Sequence, residues 1–486
     1  MANVQAFDGI EPIERQTMKK VTWRLMPLLM LGYFCAYLDR SNVGMAATTM
    51  VDDLHFSSAV FGFGAGLFFL GYFLAEIPSN LALNKVGARR WIARILITWG
   101  IIAALTAFVW NDWSFYGNRI LLGLAEAGFY PGVLLYLTWW FPSYYRSRMM
   151  GLFQSASVIS LFIGPPAGGL LLQMHGFAGL HGWQWLYIIE GVPPIIMCFV
   201  VYMLLTDRPH EANWLSTEQR SWLQNRLDSE QTQREAVRKY SLLQAFSDYK
   251  VWLLTLAYFG QNISAYGLVF FLPLIVKGLG VSPEWIGFTA ALPYICAFVA
   301  MIAWGYHSDI TGERKWHLAV AALVAAAGLA ACAVIGVGHP VVTMVALCIA
   351  MMGQQSLIPI FWSIPSAMLT GVAAAGGLAM INSLGNLGGW FGPSIYGLIK
   401  DASGSASIGL LFLAMGPLTT AICAIVVGQD RRLERFPGQA SAAAAGGTPR
   451  PDLSATAKVV LKEDAPLKNV YRSGNPDVAP LSMFAG

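Results

Sequence analysis

The 486-residue sequence carries little charge: 12% of its residues are Asp, Glu, Lys or Arg, whereas 56% are hydrophobic. A soluble globular protein carries about 25% charged residues, so most of this chain is expected to face something other than water. The formal net charge is only +4, which gives no electrostatic support for binding nucleic acid. The shortage of charge excludes an ordinary soluble domain and predicts that a lipid bilayer surrounds the chain.

Motifs for metal, disulfide and nucleotide chemistry are also missing. The six cysteines all lie within apolar runs and none forms a CxxC pair, which is typical of small buried hydrophobic residues. The seven histidines lie in loops or at the ends of apolar runs, so no metal site is expected. No glycine-rich loop continues into Lys and then Ser or Thr, which excludes the usual ATP motif. We therefore expect neither a cofactor nor enzymatic activity.

Long apolar runs are abundant and set the fold class. A helix needs about 20 apolar residues to cross a bilayer. Runs of this kind occur at residues 24–46, 57–79, 91–110, 114–139, 150–173, 184–206, 250–276, 284–306, 317–337, 340–363, 374–399 and 406–428. The sequence thus predicts an all-α integral membrane protein with twelve transmembrane helices.

Basic residues are concentrated in alternate loops, and this asymmetry predicts the orientation. One set of loops carries most of them: Lys19, Lys20, Arg24, Lys85, Arg89, Arg90, Arg146, Arg148, Arg314, Lys315, Arg431, Arg432 and Arg435. The intervening loops offer little beyond Lys277 and Lys400. Because basic loops stay in the cytoplasm, we expect both termini there and the protein in the plasma (inner) membrane.

Two polar segments divide the chain into predicted domains. Residues 207–249 form a cytoplasmic linker in which Leu215, Trp222 and Leu227 give a weak amphipathic pattern. Such a segment suits either a helix along the membrane surface or a solvated linker. Residues 429–486 are rich in small and polar residues and predict a disordered cytoplasmic tail. These limits leave an N-terminal six-helix bundle at 1–206 and a C-terminal one at 250–428.

An internal repeat indicates that the two bundles are duplicated. Asn80-x3-Asn84-Lys85-x-Gly87-x-Arg89-Arg90-Trp91 corresponds to Gly305-x3-Asp309-x2-Gly312-x-Arg314-Lys315-Trp316 at an offset of 225 residues (305 minus 80). Gln154-Ser155 and Gly164-Pro165 correspond to Asn382-Ser383 and Gly392-Pro393 at an offset of 228 (382 minus 154). Two nearly equal offsets predict pseudo-symmetric halves, an architecture of transporters that hold substrate between the halves near the midplane.

The repeated loop resembles the signature loop of the major facilitator superfamily, and the chain is most similar to its anion:cation symporter family. The resembling stretches are TyrLeuAspArgSerAsnValGly at 37–44, GlyTyr-x3-Glu-x-ProSerAsn at 71–80, Arg119-x3-Gly123-x2-GluAlaGlyPheTyrProGly at 119–132, and the region of Asn382 and Asn386. The first loop departs from the pattern, with Asn80 and Asn84 in place of Gly and Asp. Across residues 20–430 the resemblance implies the major facilitator fold and a permease for tartrate, sugar acids, hydroxyphenylacetate or phthalate-type anions.

Charged side chains within the apolar runs are confined to the first half. They are Asp39, Arg40, Glu76, Arg119, Glu126 and Glu190, whereas the second half offers neutral Gln261, Asn262, Tyr266, Gln354, Gln355, Asn382 and Asn386. Ionisable groups inside a membrane are costly, and a functional role is the default interpretation. We therefore expect the first half to handle charge and the second to form a neutral wall around the rest of the substrate.

Four of these charged residues are expected at one depth in the membrane. At about 1.5 Å per residue, Asp39 and Arg40 lie past the midpoint of an outward helix. Arg119 and Glu126 lie in the outer half to middle of an inward one, and two helical turns place them on one face. Arginine binds a carboxylate as a fork, and a carboxyl shielded from water accepts a proton more readily. We predict proton coupling at Asp39 and Glu126 and anion binding at Arg40 and Arg119, with a static salt-bridge cluster as the alternative.

Further polar residues complete the predicted site. Candidate substrate-binding side chains are Tyr72, Gln154, Tyr266, Asn382 and Asn386. Gating or structural roles are expected for Glu76 and for the signature-loop residues Arg89, Arg90, Asp309, Arg314 and Lys315. Glu190 precedes Pro193-Pro194, and a structural role is expected there as well.

The leading interpretation is a monomeric symporter that imports a small organic carboxylate with H+ as the coupling ion. An exporter of the same fold is the first alternative, because Ser160-x3-Gly164-Pro165-x2-Gly168-Gly169 resembles a motif of antiporters. The Asp39-Arg40 pair fits the anion symporters better. A membrane sensor that binds solute without moving it is the second alternative, although the loop and tail are small for a signalling domain.

Overall fold

The protein is helical throughout the part of the chain that its structure, a computed structural model, describes: residues 12–236, 247–368 and 371–428. The helices are α1 Pro12–Asp53, α2 Ser58–Val86, α3 Ala88–Leu105, α4 Asp112–Glu126, α5 Phe129–Trp140, α6 Ser143–Leu172, α7 Gly182–Leu204, α8 Thr217–Ala236, α9 Tyr249–Gly278, α10 Pro283–Thr311, α11 Lys315–Ile335, α12 Pro340–Met368, α13 Gly371–Asn386, α14 Gly388–Ser403 and α15 Ala406–Val427. The predicted tail at 429–486 lies outside the described residues.

Eleven helical segments of the described chain are long and apolar enough to cross a membrane. They match eleven of the twelve predicted spans, with α4 and α5 counted together as one. The remaining predicted span, at 374–399, is occupied by α13 and α14, which have 16 residues each and meet at Leu387. The predicted all-α membrane fold is confirmed, whereas the boundaries between its two bundles stay a prediction.

Two spans are interrupted in the middle, one in each half. α4 ends at Glu126 and α5 begins at Phe129, and between them Gly128 has a φ of 87°. Glycine adopts this left-handed conformation without the steric penalty that other residues meet. The other interruption is a lapse of a single residue, Leu387, directly after Asn386, and Leu387 keeps right-handed helical angles (φ −60°, ψ −23°). Each irregularity thus adjoins a candidate site residue.

The two halves approach each other closely at one face of the protein. α2 packs against α14 and α6 against α10. Glycine allows the backbones to touch, because a Cβ at Gly62 would collide with the carbonyl of Pro393 and one at Gly287 with the carbonyl of Pro165. These contacts lie near the start of α2 and of α10, opposite the described chain ends. We call this side the far face, and the side of residues 12 and 428 the near face.

Polar contacts between the halves reinforce this closure. Lys277 Nζ donates to Asp52 Oδ2 at 2.6 Å and to the carbonyl of Thr48 at 2.7 Å. The Asp401 carboxylate accepts hydrogen bonds from the N–H groups of Ser58 and Ala59, at 3.0 and 2.6 Å. Asp401, at the end of α14, thereby caps the positive end of α2 from the other half. The structure is therefore closed at the far face.

The predicted linker contains helix α8, which packs against α1 and α5. Leu215 and Leu223 are buried, and the N–H of Ser143 at the start of α6 donates to Glu230 Oε2 at 2.9 Å. The described part of the linker is thus docked on the helix bundle rather than free in solvent, and residues 237–246 lie outside the description.

Candidate functional site

The centre of the candidate site is an ion pair between α1 and α4. Arg40 Nε and Nη2 donate to the same oxygen, Glu126 Oε1, at 3.1 and 2.6 Å. The side chain of Glu126 is only 1% exposed, and its second oxygen, Oε2, has no hydrogen-bond partner among the described residues. Arg40 is therefore occupied by an internal carboxylate in this conformation, and one carboxylate oxygen is left without a donor.

Aromatic side chains enclose the guanidinium of Arg40. Its central carbon lies 5.2 Å from the ring centre of Tyr37, 5.3 Å from that of Phe68 and 5.5 Å from that of Tyr72. Arg40 Nη1 also donates to the Tyr266 hydroxyl at 3.4 Å, and Tyr266 belongs to α9 in the second half. Aromatic faces attract a cation, so this cage holds a positive charge where the two halves meet.

Asp39 faces a different environment from its neighbour Arg40. Successive helical residues point about 100° apart, and Asp39 turns into the N-terminal bundle, where it is 3% exposed. Trp99 Nε1 donates to Asp39 Oδ2 at 3.2 Å, and Asn42 Nδ2 donates to Oδ1 at 3.3 Å. Neither Trp99 nor Asn42 was predicted as a site residue. Asn42 lies in the stretch 37–44 that resembles the anion:cation symporter family, and this was the only sequence signal for it.

Arg119 acts electrostatically on both predicted proton-coupling acids. It is 1% exposed, its central carbon is 5.4 Å from the ring centre of Phe68, and it interacts electrostatically with Asp39 and Glu126. Its Nε and Nη1 atoms have no hydrogen-bond partner in the described chain. Because a buried guanidinium with unused donors is costly, an anionic oxygen or water is the expected complement.

Glu76 joins the two halves on the near-face side of Tyr72. Asn382 Nδ2 donates to Glu76 Oε1 at 3.0 Å, and the Ser383 hydroxyl donates to Oε2 at 2.9 Å. The predicted substrate-binding residue Asn382 is thus engaged by the predicted gating residue Glu76 in this conformation. Ser383, which belongs to the internal repeat but was not predicted as a site residue, completes the contact.

Gln154 is held by two tyrosines that were not predicted as site residues. Tyr33 donates its hydroxyl proton to Gln154 Oε1 at 2.9 Å, and Gln154 Nε2 donates to the Tyr130 hydroxyl at 3.1 Å. The rings of Tyr33 and Tyr130 stack with their centres 5.5 Å apart. Tyr130 lies in the quoted stretch 119–132, which is the signal that could have identified it.

The second half supplies neutral polar groups. Asn262 Nδ2 donates to the carbonyl of Gly385 at 3.1 Å and to Asn386 Oδ1 at 3.5 Å. Gln354 Nε2 donates to the backbone carbonyl of Gln261 at 3.0 Å. The side-chain oxygens of Gln261 and Gln354 are buried and have no partner among the residues described. Each of these side chains therefore keeps an unused hydrogen-bond acceptor.

The signature loops lie at the near face, away from this layer. In the second loop Arg314 Nη2 pairs with Asp309 Oδ1 at 2.6 Å, and Lys315 Nζ is 5.1 Å from the ring centre of Trp316. Burial tends to raise the pKa of Glu313, but hydrogen bonds from the Trp316 N–H and from His317 hold that pKa below its usual range.

In the first signature loop the Arg89 backbone N–H donates to Asp207 Oδ1 at 2.7 Å. Asp207, which follows α7, thus contributes a carboxylate to a loop that has Asn84 where the pattern has Asp. Arg90 is exposed.

Comparison with known proteins places the chain among membrane transporters. A family model described as the Major Facilitator Superfamily matches residues 29–393 and, in a second match, residues 254–468. A protein from Agrobacterium vitis named as a tartrate transporter is 48% identical, over 87% of this chain and 94% of its own. One from Acinetobacter baumannii named as a quinolone resistance transporter is 41% identical, over 85% of this chain and 95% of its own. A metabolite transport protein from Pseudomonas putida is 40% identical, over 81% of this chain and 90% of its own.

Solved structures share the fold at much lower identity. A bacterial homologue of the human lysosomal transporter Spinster, inward-facing and unoccupied, aligns with a TM-score of 0.69 at 15% identity and covers 87% of this chain and 98% of its own. The D-xylose-proton symporter aligns with a TM-score of 0.69 at 14% identity and covers 85% of this chain and 99% of its own.

Proposed function

The chain belongs to the major facilitator superfamily and is a multi-pass membrane transporter, not an enzyme, and from this premise we propose that it imports a small organic carboxylate by proton symport. The observation that carries the proposal is the Arg40–Glu126 pair. Similarity to a protein named as a tartrate transporter supports a hydroxylated dicarboxylate as substrate. Sugar acids and aromatic acids complete the panel to be tested.

The ion pair couples the proton to the anion. Protonation of Glu126 removes the negative charge that holds Arg40, and a substrate carboxylate then replaces it on the same guanidinium. Either event alone is unfavourable, because breaking a buried ion pair by removing one partner costs about 3–5 kcal/mol. Proton and carboxylate therefore bind favourably together, which is the thermodynamic requirement for symport.

Arg119 and Asp39 form the second part of the proposed mechanism. Arg119 has unused donors that suit a second carboxylate oxygen. Protonation of Asp39 would remove a negative charge that acts on Arg119, so that more of the positive charge of Arg119 would act on the substrate. The buried oxygens of Gln261 and Gln354 would accept hydrogen bonds from substrate hydroxyl groups. A dicarboxylate that also bears hydroxyls fits this combination of two cations and a neutral accepting wall.

The proposed orientation follows from the loop charges. Arg89, Arg90 and Arg314 belong to loops of the near face, so we assign that face to the cytoplasm of the plasma (inner) membrane. The conformation described is then sealed toward the outside by the far-face contacts. Opening these contacts while the near face closes would move the Arg40 layer from one side of the membrane to the other.

Transport assays in liposomes test the proposal. Labelled tartrate should accumulate in vesicles of the wild-type protein when the outside is acidic. Glu126→Gln and Asp39→Asn should abolish this uphill uptake but leave exchange of internal for external tartrate, because exchange needs no net proton movement. Glu284→Gln, which changes an exposed acid at the start of α10, is the matched control. Normal accumulation by both site variants would show that the proton-coupling assignment is wrong.

A second candidate is export in exchange for protons. It is favoured by similarity to a protein named as a quinolone resistance transporter and by the Gly164-Pro165 run in α6. The direction of the imposed gradient separates the two functions, since a symporter accumulates substrate on the alkaline side and an antiporter on the acidic side. Accumulation of a quinolone, and of neither tartrate nor a sugar acid, in acid-loaded vesicles would favour export.

A further inference from the structure

Glu190 is a buried acid that the transport mechanism above does not use. It lies on α7, which packs against α1 and α3, and it is 6% exposed. Both of its carboxyl oxygens lack a hydrogen-bond partner among the described residues. An ionised carboxylate buried without donors is strongly unfavourable, so the surroundings of Glu190 have to explain how it is tolerated.

No cation among the described residues is hydrogen-bonded to Glu190. The groups that act on Glu190 are the Asn42 amide, which lies near its carboxyl but does not form a hydrogen bond of normal geometry with it, and the carboxylate of Asp39, which has the same sign. Cys35 and Tyr187 are the other titratable groups that interact with it. Arg119 acts on Asp39 and Tyr187, but no cation of the described chain is among the charges that act on Glu190.

Asn42 connects Glu190 to the proposed proton site. Its Nδ2 donates to Asp39 Oδ1 at 3.3 Å, while its own Oδ1 is buried and has no hydrogen-bond partner in the part of the chain described. The cluster of Asp39, Asn42 and Glu190 is therefore short of donors. A proton on Glu190 would supply one donor, and Asn42 Oδ1 is the acceptor in need of it.

The number of buried charges also favours a proton on Glu190. Around Asp39 lie three buried carboxyl groups, Asp39, Glu126 and Glu190, but two guanidinium groups, Arg40 and Arg119. The fourth buried acid, Glu76, lies toward the near face, where Asn382 and Ser383 donate to its carboxylate. Glu126 is bonded to Arg40 and Asp39 receives two hydrogen bonds. The one excess negative charge is therefore least stabilised on Glu190.

We propose that Glu190 holds a resident proton and acts as a positioning residue for Asp39, to which it is linked through Asn42. The inference rests on the proposed role of Asp39 in proton coupling. A neutral Glu190 removes a repelling charge from beside Asp39 and keeps the Asn42 amide turned toward it. Asp39 then stays ionised beside Arg119 until the transported proton arrives. The proton on Glu190 stays in place through the cycle and is not transported.

Infrared absorption of the protonated carboxyl group tests the resident proton without reference to transport. Full-length protein in liposomes is compared with Glu190→Gln and with the control Glu284→Gln at neutral pH. The wild-type spectrum should contain a protonated-carboxyl band that persists from mildly acidic to mildly alkaline pH. Glu190→Gln should lose it and Glu284→Gln should keep it. An unchanged band in Glu190→Gln would overturn the proposal. If Glu190→Gln does not fold, Glu190→Met, which is also neutral and similar in size, is used instead.

Transport tests the positioning role. Glu190→Gln stays neutral and retains an N–H donor for Asn42, so pH-driven tartrate uptake and its pH profile should match those of the wild type. Glu190→Met lacks that donor, so its pH profile should shift although it is also neutral. If Glu190→Gln loses uphill uptake but retains exchange, Glu190 gives up its proton in each cycle, and this result would contradict the proposal. If the wild type does not accumulate tartrate, the proposed function fails, whereas the infrared result on Glu190 still stands.

Discussion

Arg40 is the residue on which the proposed mechanism depends most. Its guanidinium is held by Glu126 from α4, approached by the Tyr266 hydroxyl from the second half, and enclosed by three aromatic rings. An anion that reaches this layer has left water behind and needs a fixed positive partner. Arg40 can provide that charge only when Glu126 is protonated and no longer forms the ion pair.

Replacing Arg40 should therefore abolish substrate binding. Loss of one partner from a desolvated charge pair costs about 2–5 kcal/mol, which corresponds to a loss of affinity of about 30-fold to several thousand-fold. Arg40→Lys should recover little, because lysine keeps the charge but not the two-pronged geometry. The measurement is the thermal stabilisation of purified protein by tartrate, with Arg24→Ala on the exposed side of α1 as the control. Undiminished stabilisation of Arg40→Ala would show that Arg40 does not hold the anion.

The sequence identified which charged residues are buried but not how they pair. Hydropathy and helical rise placed Asp39, Arg40, Arg119 and Glu126 near one depth. Whether Arg40 pairs with Glu126, and Asp39 with Trp99, depends on the rotation of α1 against α3 and α4, which one sequence does not specify. Trp99 in particular is one of many tryptophans in apolar runs, and nothing marks its indole N–H as a partner of a carboxylate.

At the scale of helices, the break after Glu126 is the feature that shapes the site. Gly128 has a positive φ, and a Cβ there would collide with the Ser79 side chain. The break places Glu126 at the end of α4, and α5 begins three residues later at Phe129. Hydropathy predicted one continuous span at 114–139, because an interruption by two small residues does not lower the average apolar character of the run.

Gly128→Ala should destabilise the protein and impair transport. A left-handed conformation costs an L-residue about 1–2 kcal/mol, and the collision with Ser79 adds to that. Gly117→Ala is the matched control, since this glycine lies within α4 and a Cβ there would meet nothing within 4 Å. Helix propensity favours alanine over glycine by about 1 kcal/mol, so Gly117→Ala should be neutral or stabilising. Thermal unfolding measures both, and equal melting temperatures for Gly128→Ala and the wild type would contradict this account of the break.

At the scale of the whole molecule, the internal repeat and the apolar runs were enough to predict the all-α membrane fold. The closure of the far face was not predictable from them. It depends on Asp401 capping α2 and Lys277 reaching Asp52, contacts between distant segments that exist in one conformation of a moving protein. Lys277 stood out in the sequence only as an exception to the charge bias of the loops.

The proposed orientation predicts which face is accessible from outside the cell. A cysteine introduced at Asp112, the first residue of α4, or at Gly404, directly after α14, should react with a membrane-impermeant reagent added to intact cells, because both positions lie at the far face. A cysteine at Gln231 should react only after the membrane is permeabilised. The six native cysteines are buried or partly buried, which keeps the background low. Labelling at Gln231 in intact cells would show that the proposed orientation is wrong.

The central claim is that the carboxylate replaces Glu126 on Arg40 only when Glu126 has taken up a proton. Proton uptake during binding tests it directly, with tartrate added to purified protein in weakly buffered solution and the pH followed with an indicator. The wild-type protein should take up protons from solution as tartrate binds, and Glu126→Gln should bind tartrate with reduced proton uptake. Binding of tartrate to the wild type with no change in pH, or with release of protons, would contradict the claim.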